Sequence, residues 1–311
     1  MNFEKSIIES MEKYFEDNSV DKWKGVYEKK IGNIHHDEPW LTLVGLYSIF
    51  NNQNTFNRNH IEAFQSILDQ SGFDKYIKVD SVERVSIEKI LPEIKPYRVY
   101  LYELLKKNDI HLYPDRNNTL KKRLKEYTDS ENKKQASLEG NTNLDAQIIF
   151  SVEGRKKYMF IEAKFLSDID TKTTYNPVRN QVIRNIDAMI DFVLTEKEKN
   201  KDIDLADVYF TLLTPKVFRT EKFNGNKKSN LDIFTPQKAR FYCYVMDEYK
   251  NPLALKRDLP HRQLSDDKWE MISKHLGWIT FDDMYIAAKE YRTIESHQEE
   301  FESFFRTRKL Y

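Results

Sequence analysis

Two apolar runs joined by a short polar stretch constrain this chain more than any other feature. Leu144-Asp145-Ala146-Gln147-Ile148-Ile149-Phe150 and Tyr158-Met159-Phe160-Ile161-Glu162-Ala163-Lys164-Phe165 are rich in aromatic and β-branched residues; Ser151-Val152-Glu153-Gly154-Arg155-Lys156-Lys157 between them carries charge and a glycine. Runs of that composition about a polar turn predict a β-hairpin. Side chains alternate along a strand, so Glu162 and Lys164 share one face, with about 6.5–7 Å between their Cα atoms. Ile161, Ala163 and Phe165 take the other face. A carboxylate and an ammonium buried in such a strand cost several kcal/mol unless each is partnered.

Folding the hairpin back brings Asp145 beside Glu162, because antiparallel neighbours lie about 4.5–5.5 Å apart across the ladder. Two hard oxygen ligands then converge, which suits Mg²⁺ or Mn²⁺. Zinc is disfavoured, since the chain has a single cysteine, Cys243, and no cysteine–histidine spacing. The plainer alternative is an ordinary ion pair of Glu162 with Lys164 on a solvated sheet face, contributing under about 1 kcal/mol. Apolar neighbours on both sides argue against it.

Asp145 followed by Glu162-Ala163-Lys164 on the next strand resembles the signature of the PD-(D/E)xK nuclease superfamily, the restriction-endonuclease-like fold. Glu139 stands where that family often has a glutamate on the preceding helix, and Leu144 replaces the proline of the family name at a position that supplies no ligand. Arg179 to Asp187 opens a helix with the apolar stripe Val182, Ile186, Met189 and Val193, while Gln181 and Asn185 share a different stripe. Gln181 resembles the glutamine that several branches of the family direct at the site. Pro177 fits a helix start, and Ala206 to Pro215 reads as a buried strand closed by a proline, which completes a strand, strand, helix, strand order.

The resemblance implies an α/β fold with a restriction-endonuclease-like core, a mixed central sheet flanked by helices, at residues 130–245. A mainly helical N-terminal region (1–129) and a helical C-terminal region (246–311) surround it. It further implies a hydrolase that cuts phosphodiester bonds with Mg²⁺, Mn²⁺ substituting, held by Asp145, Glu162 and the backbone carbonyl of Ala163, with Glu139 completing a second ion site. Catalysis would rest on Asp145, Glu162, Lys164 and Gln181. Lys164 would orient the attacking water or stabilise phosphate charge, and Gln181 would position the water or a phosphate oxygen. Lys172, Arg179, Arg184, Lys227 and Lys228 are candidate nucleic-acid contacts, with solvated surface charge as the alternative reading.

DNA is the expected partner, and a restriction or phage-defence endonuclease the expected role; cutting both strands would favour a homodimer. Two alternatives remain open: a catalytically inactive nucleic-acid-binding or assembly protein of the same fold, and an RNA-directed nuclease.

The 50 basic and 50 acidic residues cancel, so any groove for phosphate depends on their distribution. Lys121-Lys122-Arg123-Leu124-Lys125 and Lys133-Lys134 precede the core. Lys216, Arg219, Lys222, Lys227, Lys228, Lys238 and Arg240 follow its last clear strand. The first hundred residues read as helical. The stripe Ile7, Met11, Tyr14 and Phe15 comes first, then an apolar helix from Pro39 to Asn51 capped by Asp37, then Ile61, Phe64, Ile67 and Leu68 ending at Gly72. His35-His36-Asp37-Glu38 reads as an exposed cap. Near the carboxyl end a helix from Ser265 stopping about Gly277 and another capped at Thr280 predict a packed helical hairpin. A helix-turn-helix reader is disfavoured, because Asp282, Asp283 and Glu290 outweigh Lys289. Charge at Glu4 and Lys5, where a signal peptide needs an apolar core, together with one cysteine and no apolar span, leads to the expectation of a cytoplasmic protein.

Overall fold

The computed structural model describes residue 7 and residues 38–51, 56–74, 76–107, 140–164, 179–199, 201–220 and 245–307. Its centre is a five-stranded open sheet in the order β1 (Ser81–Leu91), β2 (Thr142–Val152), β3 (Arg155–Ala163), β4 (Val208–Thr214) and β5 (Leu276–Thr280). The first three strands run antiparallel, and β3, β4 and β5 are parallel. The sheet is therefore mixed, and β3 is the strand at which the sense of pairing changes.

The β2–β3 hairpin forms as its composition predicts, although its turn is tighter than the polar stretch suggested. Val152 pairs with Arg155, leaving only Glu153 and Gly154 as the loop, both at positive φ (52° and 71°). Two left-handed residues match the right-handed twist of the flanking strands, so Ser151 and the lysines extend the ladder instead of looping out.

Helices cover both faces. Before β1 come α1 (Glu38–Phe50) and α2 (Arg58–Gln70), and α3 (Lys95–Lys107) follows it; α4 (Gln181–Glu198) crosses from β3 to β4. Phe160 of β3 packs on Phe192 of α4 at 5.4 Å, and Phe150 of β2 packs on Phe64 of α2 at 5.3 Å on the opposite face. Val182, Ile186, Met189 and Val193 of α4 are fully buried, as the stripe predicted. Strand β4 is buried at every position, which a central parallel strand requires. From Trp40 onward α1 is buried all round, because it lies between the sheet and α8 (Phe281–Glu290).

Two strands lie in stretches expected to be helical. Strand β1 carries a bulge between Val82 and Arg84 and a left-handed Glu88 (φ 53°), and these breaks erase the alternation by which a strand is read. Toward the carboxyl end, α5 (Lys216–Thr220), α6 (Pro252–Asp258) and α7 (Asp266–Lys274) precede β5, so the expected helical hairpin is instead helix, strand, helix. Gly277, read as a turn glycine, sits inside β5 paired with Thr211. A β-carbon there would lie 2.6 Å from the Phe73 ring, so its role is close packing. Thr280 does cap α8, its hydroxyl accepting from the Asp283 N–H at 3.1 Å.

Gly277→Ala should destabilise the protein by about 1–3 kcal/mol through overpacking. Urea denaturation of the single variant and of Gly277→Ala with Phe73→Ala should find part of that loss recovered in the pair; an unchanged midpoint in the single variant would refute the close-packing role.

Candidate metal and catalytic site

The last residues of β3 point two ionisable groups toward α4. Tyr158 and Phe160 pack on Phe192 of that helix, so the next residues on the same face, Glu162 and Lys164, continue along it. Both are buried, 4% and 5% exposed. The Lys164 Nζ lies 2.7 Å from Glu162 Oε1, and Asn185 Nδ2 of α4 donates to Glu162 Oε2 at 2.7 Å. The apolar surroundings that argued against a solvated pair are present, since Ile161 and Ala163 on the other face are also buried.

Asp145 stands one residue beyond Ala146, whose partner on β3 is Ile161. At that point the β2–β3 ladder ends and a side chain takes over: Asp145 Oδ2 accepts from the Ala163 N–H at 2.7 Å. The Lys164 N–H is held from the other side by the Leu213 carbonyl of β4 at 2.8 Å. Thus Asp145 and the Glu162-Ala163-Lys164 segment converge at the carboxyl end of β3, the end at which open α/β sheets build their ligand sites.

Gln181 occupies the first turn of α4, one turn before Asn185 and on the same flank. Its Oε1 is buried and accepts no hydrogen bond from the described residues, an arrangement that costs about 1–3 kcal/mol unless a donor arrives. Asn185 was legible only as a stripe neighbour of Gln181, since no spacing rule says that a helix amide will reach a strand carboxylate. Glu88 was not visible at all. Its neighbours Ile87 and Lys89 pair with Ala146 and Leu144, which puts Glu88 across the sheet from Asp145 in a left-handed conformation unusual for a strand.

Glu139, Lys172, Lys227 and Lys228 lie outside the described residues, as do Pro177, His35, His36, the lysine-rich segments before the core, and Lys222, Lys238 and Arg240. Among the described residues no three histidine, cysteine, aspartate or glutamate side chains are grouped closely enough to hold a metal ion. A Mg²⁺ ion keeps several waters and takes only one or two carboxylates, so Asp145 and Glu162 are the residues that would hold one.

The candidate basic residues among those described are engaged within the chain. Lys216 pairs with Asp282 at 2.9 Å, and Arg219 grips Asp283 through both terminal nitrogens at 2.7 and 2.9 Å, so these two cations tie α5 to α8. Arg184 donates to the Asn141 carbonyl at 2.7 Å. Arg179 is 4% exposed; its Nη1 lies 2.5 Å from Asp187 Oδ2, and its guanidinium carbon 3.4 Å above the Tyr97 ring centre. Asp187 also meets Arg262 Nε at 2.6 Å and His261 Nε2 at 2.9 Å. Burial opposes ionisation of Asp187, yet the His261 hydrogen bond and the two guanidiniums together hold its carboxyl far below the usual aspartate value. No described helix is long and apolar enough to cross a membrane.

Comparison with known proteins finds no matching family model, no matching curated protein and no matching solved structure.

Two outcomes follow from this geometry. Mg²⁺ at tenfold its Kd should stabilise the protein by about 1.4 kcal/mol through mass action. The matching rise in Tm should vanish in Glu162→Ala; a wild-type Tm indifferent to millimolar Mg²⁺ or Mn²⁺ would count against a metal site. Asp187→Asn should cost about 3–5 kcal/mol, because two guanidiniums lose a buried partner. With its folded pKa depressed, Asp187 contributes stability that is complete above the unfolded value of about 3.9 and is lost as pH falls below it. Acid titration of stability should therefore show a shallower limb in the variant than in the wild type.

Proposed function

We propose that the chain is a metal-dependent phosphodiesterase acting on DNA, an endonuclease with a restriction-endonuclease-like core and Glu162 at its centre. The observation that carries this reading is Glu162 itself: a carboxylate 4% exposed at the carboxyl end of β3, gripped by Lys164 and Asn185, one ladder step from Asp145. A buried carboxylate and ammonium at the end of an apolar strand are a poor device for stability alone, because desolvation offsets much of their attraction. The order β2, β3, α4, β4, with β3 and β4 parallel, also agrees with the strand, strand, helix, strand pattern of that superfamily.

Mg²⁺ held by Asp145, Glu162 and the Ala163 carbonyl would neutralise phosphate charge and lower the pKa of a bound water. The protein's own groups supply the rest. The bond between Asp145 and the Ala163 N–H fixes the strand end, so the carboxylates meet a phosphate in a set geometry. Lys164 brings a positive charge beside Glu162, where it orients the attacking water or stabilises charge on the phosphate oxygens. Gln181 offers its Oε1, bonded to no described residue, as an acceptor for that water. A restriction or phage-defence role, and a dimer for cutting both strands, extend this reading by analogy.

The same contacts favour one second reading. Both Glu162 oxygens already have partners, so the cluster is self-sufficient as a structural clamp, as in an inactive nucleic-acid-binding or assembly protein. Cleavage assays separate the two. Supercoiled plasmid with Mg²⁺ or Mn²⁺ should be cut by the wild type, with Lys164→Ala slowed about 10²–10⁴-fold. Asp145→Ala should be similarly inert. DNA binding without cleavage, equal in wild type and variants, would leave the inactive reading standing; cleavage of RNA in preference to DNA would move the substrate.

A further inference from the structure

Asn185 touches Glu162, and Gln181 shares its flank. With 3.6 residues per turn, Ile183 falls on the opposite flank of the start of α4, and Arg179 stands just before its N-cap, Asn180. A cavity of about 270 Å³ opens there, bounded by Tyr97 and Tyr100 of α3, Arg179, Ile183, Tyr249 and Arg257. It lies just below the roughly 300–1,000 Å³ of pockets for drug-sized ligands, which leaves room for one ring system.

Its walls are flat and fixed. The Arg179 guanidinium is clamped between the Tyr97 ring and Asp187. Tyr249 accepts from Asn180 Nδ2 at 2.8 Å and donates to Asp258 at 3.0 Å. Burial first, and the Asp258 carboxylate second, push the Tyr249 hydroxyl far above the ordinary tyrosine value, so it remains a neutral phenol. Tyr100 is half-buried. Its ring is tilted against Tyr97 with centres 6.1 Å apart.

The charges are internally paired: Arg179 with Asp187, and Arg257 with both Asp258 and Glu248. Such a cavity has no surplus positive charge for a phosphate and suits a neutral planar ring. The Tyr100 hydroxyl and Arg257 Nη1 are bonded to no described residue. Arg257 Nη1 offers a donor to the edge of a heterocycle, and Arg257, 60% exposed, stands at the mouth.

We propose that this cavity takes an unpaired nucleobase of the bound strand, stacked on Tyr100 with its edge on Arg257. This deepens the nuclease reading, on which it rests, by assigning the enzyme a substrate that is single-stranded or has a base turned out of the helix. The cavity and Glu162 are separated by α4, about 10–12 Å across with its side chains. A few nucleotides span that distance, at about 3.4 Å each when stacked.

The test is titration of labelled single-stranded DNA, and of an equally long strand lacking bases, in EDTA. The proteins are wild type, Tyr100→Ala, Tyr100→Phe and Arg257→Ala, each checked for an unchanged fold by its melting curve. Wild type should prefer the base-bearing strand. Tyr100→Ala should weaken that binding by about 5- to 150-fold, the usual worth of one stacked base, and leave the abasic strand unaffected. Tyr100→Phe should keep the preference, and Arg257→Ala should reduce it. Because Arg257 is mostly exposed, its variant remains informative if Tyr100→Ala does not fold. Equal wild-type affinity for the two strands, a preference undiminished in Arg257→Ala and in any folded Tyr100→Ala, or no binding at all would overturn the proposal. Binding in EDTA needs no catalysis, so the two readings fail separately. Metal-dependent cleavage without base preference sinks the pocket alone, and base-dependent binding without cleavage under any metal sinks the nuclease alone.

Discussion

Asp187 receives Arg179, His261 and Arg262 with its side chain wholly out of solvent, and the seating of α4 follows from that one carboxylate. Arg262 bonds both the side chain and the backbone carbonyl of Asp187 and continues to Asp191, so the segment after α6 is stapled along one turn of the helix. Arg179 carries the clamp to Tyr97 of α3. A buried network of this kind is a weak source of net stability, since desolvation offsets its attraction; its strength is geometric, because any other seating of α4 would strand buried charge. The apolar stripe of α4 decides that the helix lies on the sheet, and the Asp187 network decides where along it.

That position matters for Glu162. Asn185 lies two residues before Asp187 and reaches Glu162 only if the helix is held at its present depth and rotation. A shift of one residue turns the helix by about 100° and would replace the amide with Ile186 or Arg184. The clamp on one flank therefore positions the carboxylate contact on the other. Local rules are broken together nearby: a buried lysine, an acceptor at Gln181 without a donor among the described residues, and a left-handed glutamate within a strand at Glu88. Departures of this sort gather at functional sites, where substrate binding and not stability sets the residue.

The hairpin, the crossover helix and β4 were readable because each carries an uninterrupted pattern: alternation bounded by a glycine turn, a 3.6-residue stripe, or a fully apolar run. Strand β1 was not, because its bulge after Val82 and the turned backbone at Glu88 put apolar residues out of phase with any single period. Strand β5 is five residues long, and Gly277, which reads as a helix stop, is there because Phe73 leaves no room for a side chain. The inward pairing of Lys216 and Arg219 was hidden for another reason. A count of basic residues after β4 does not reveal that α8 presents Asp282 and Asp283 to meet them.

The sequence alone determined the hairpin, the placement of Asp145 against Glu162-Ala163-Lys164, and the helix bearing Gln181. These rest on contacts between near neighbours, and local periodicity encodes them. Tertiary structure decided what surrounds them: the Asn185 amide on Glu162, Glu88 across from Asp145, the Asp187 clamp, and the cavity on the far flank of α4. Each of those depends on residues distant in the chain, such as Asn185 and Glu162, 23 positions apart, and Arg262 and Asp187, 75 apart. No short-range pattern carries such pairings, because they form only when hydrophobic burial has fixed the helices on the sheet.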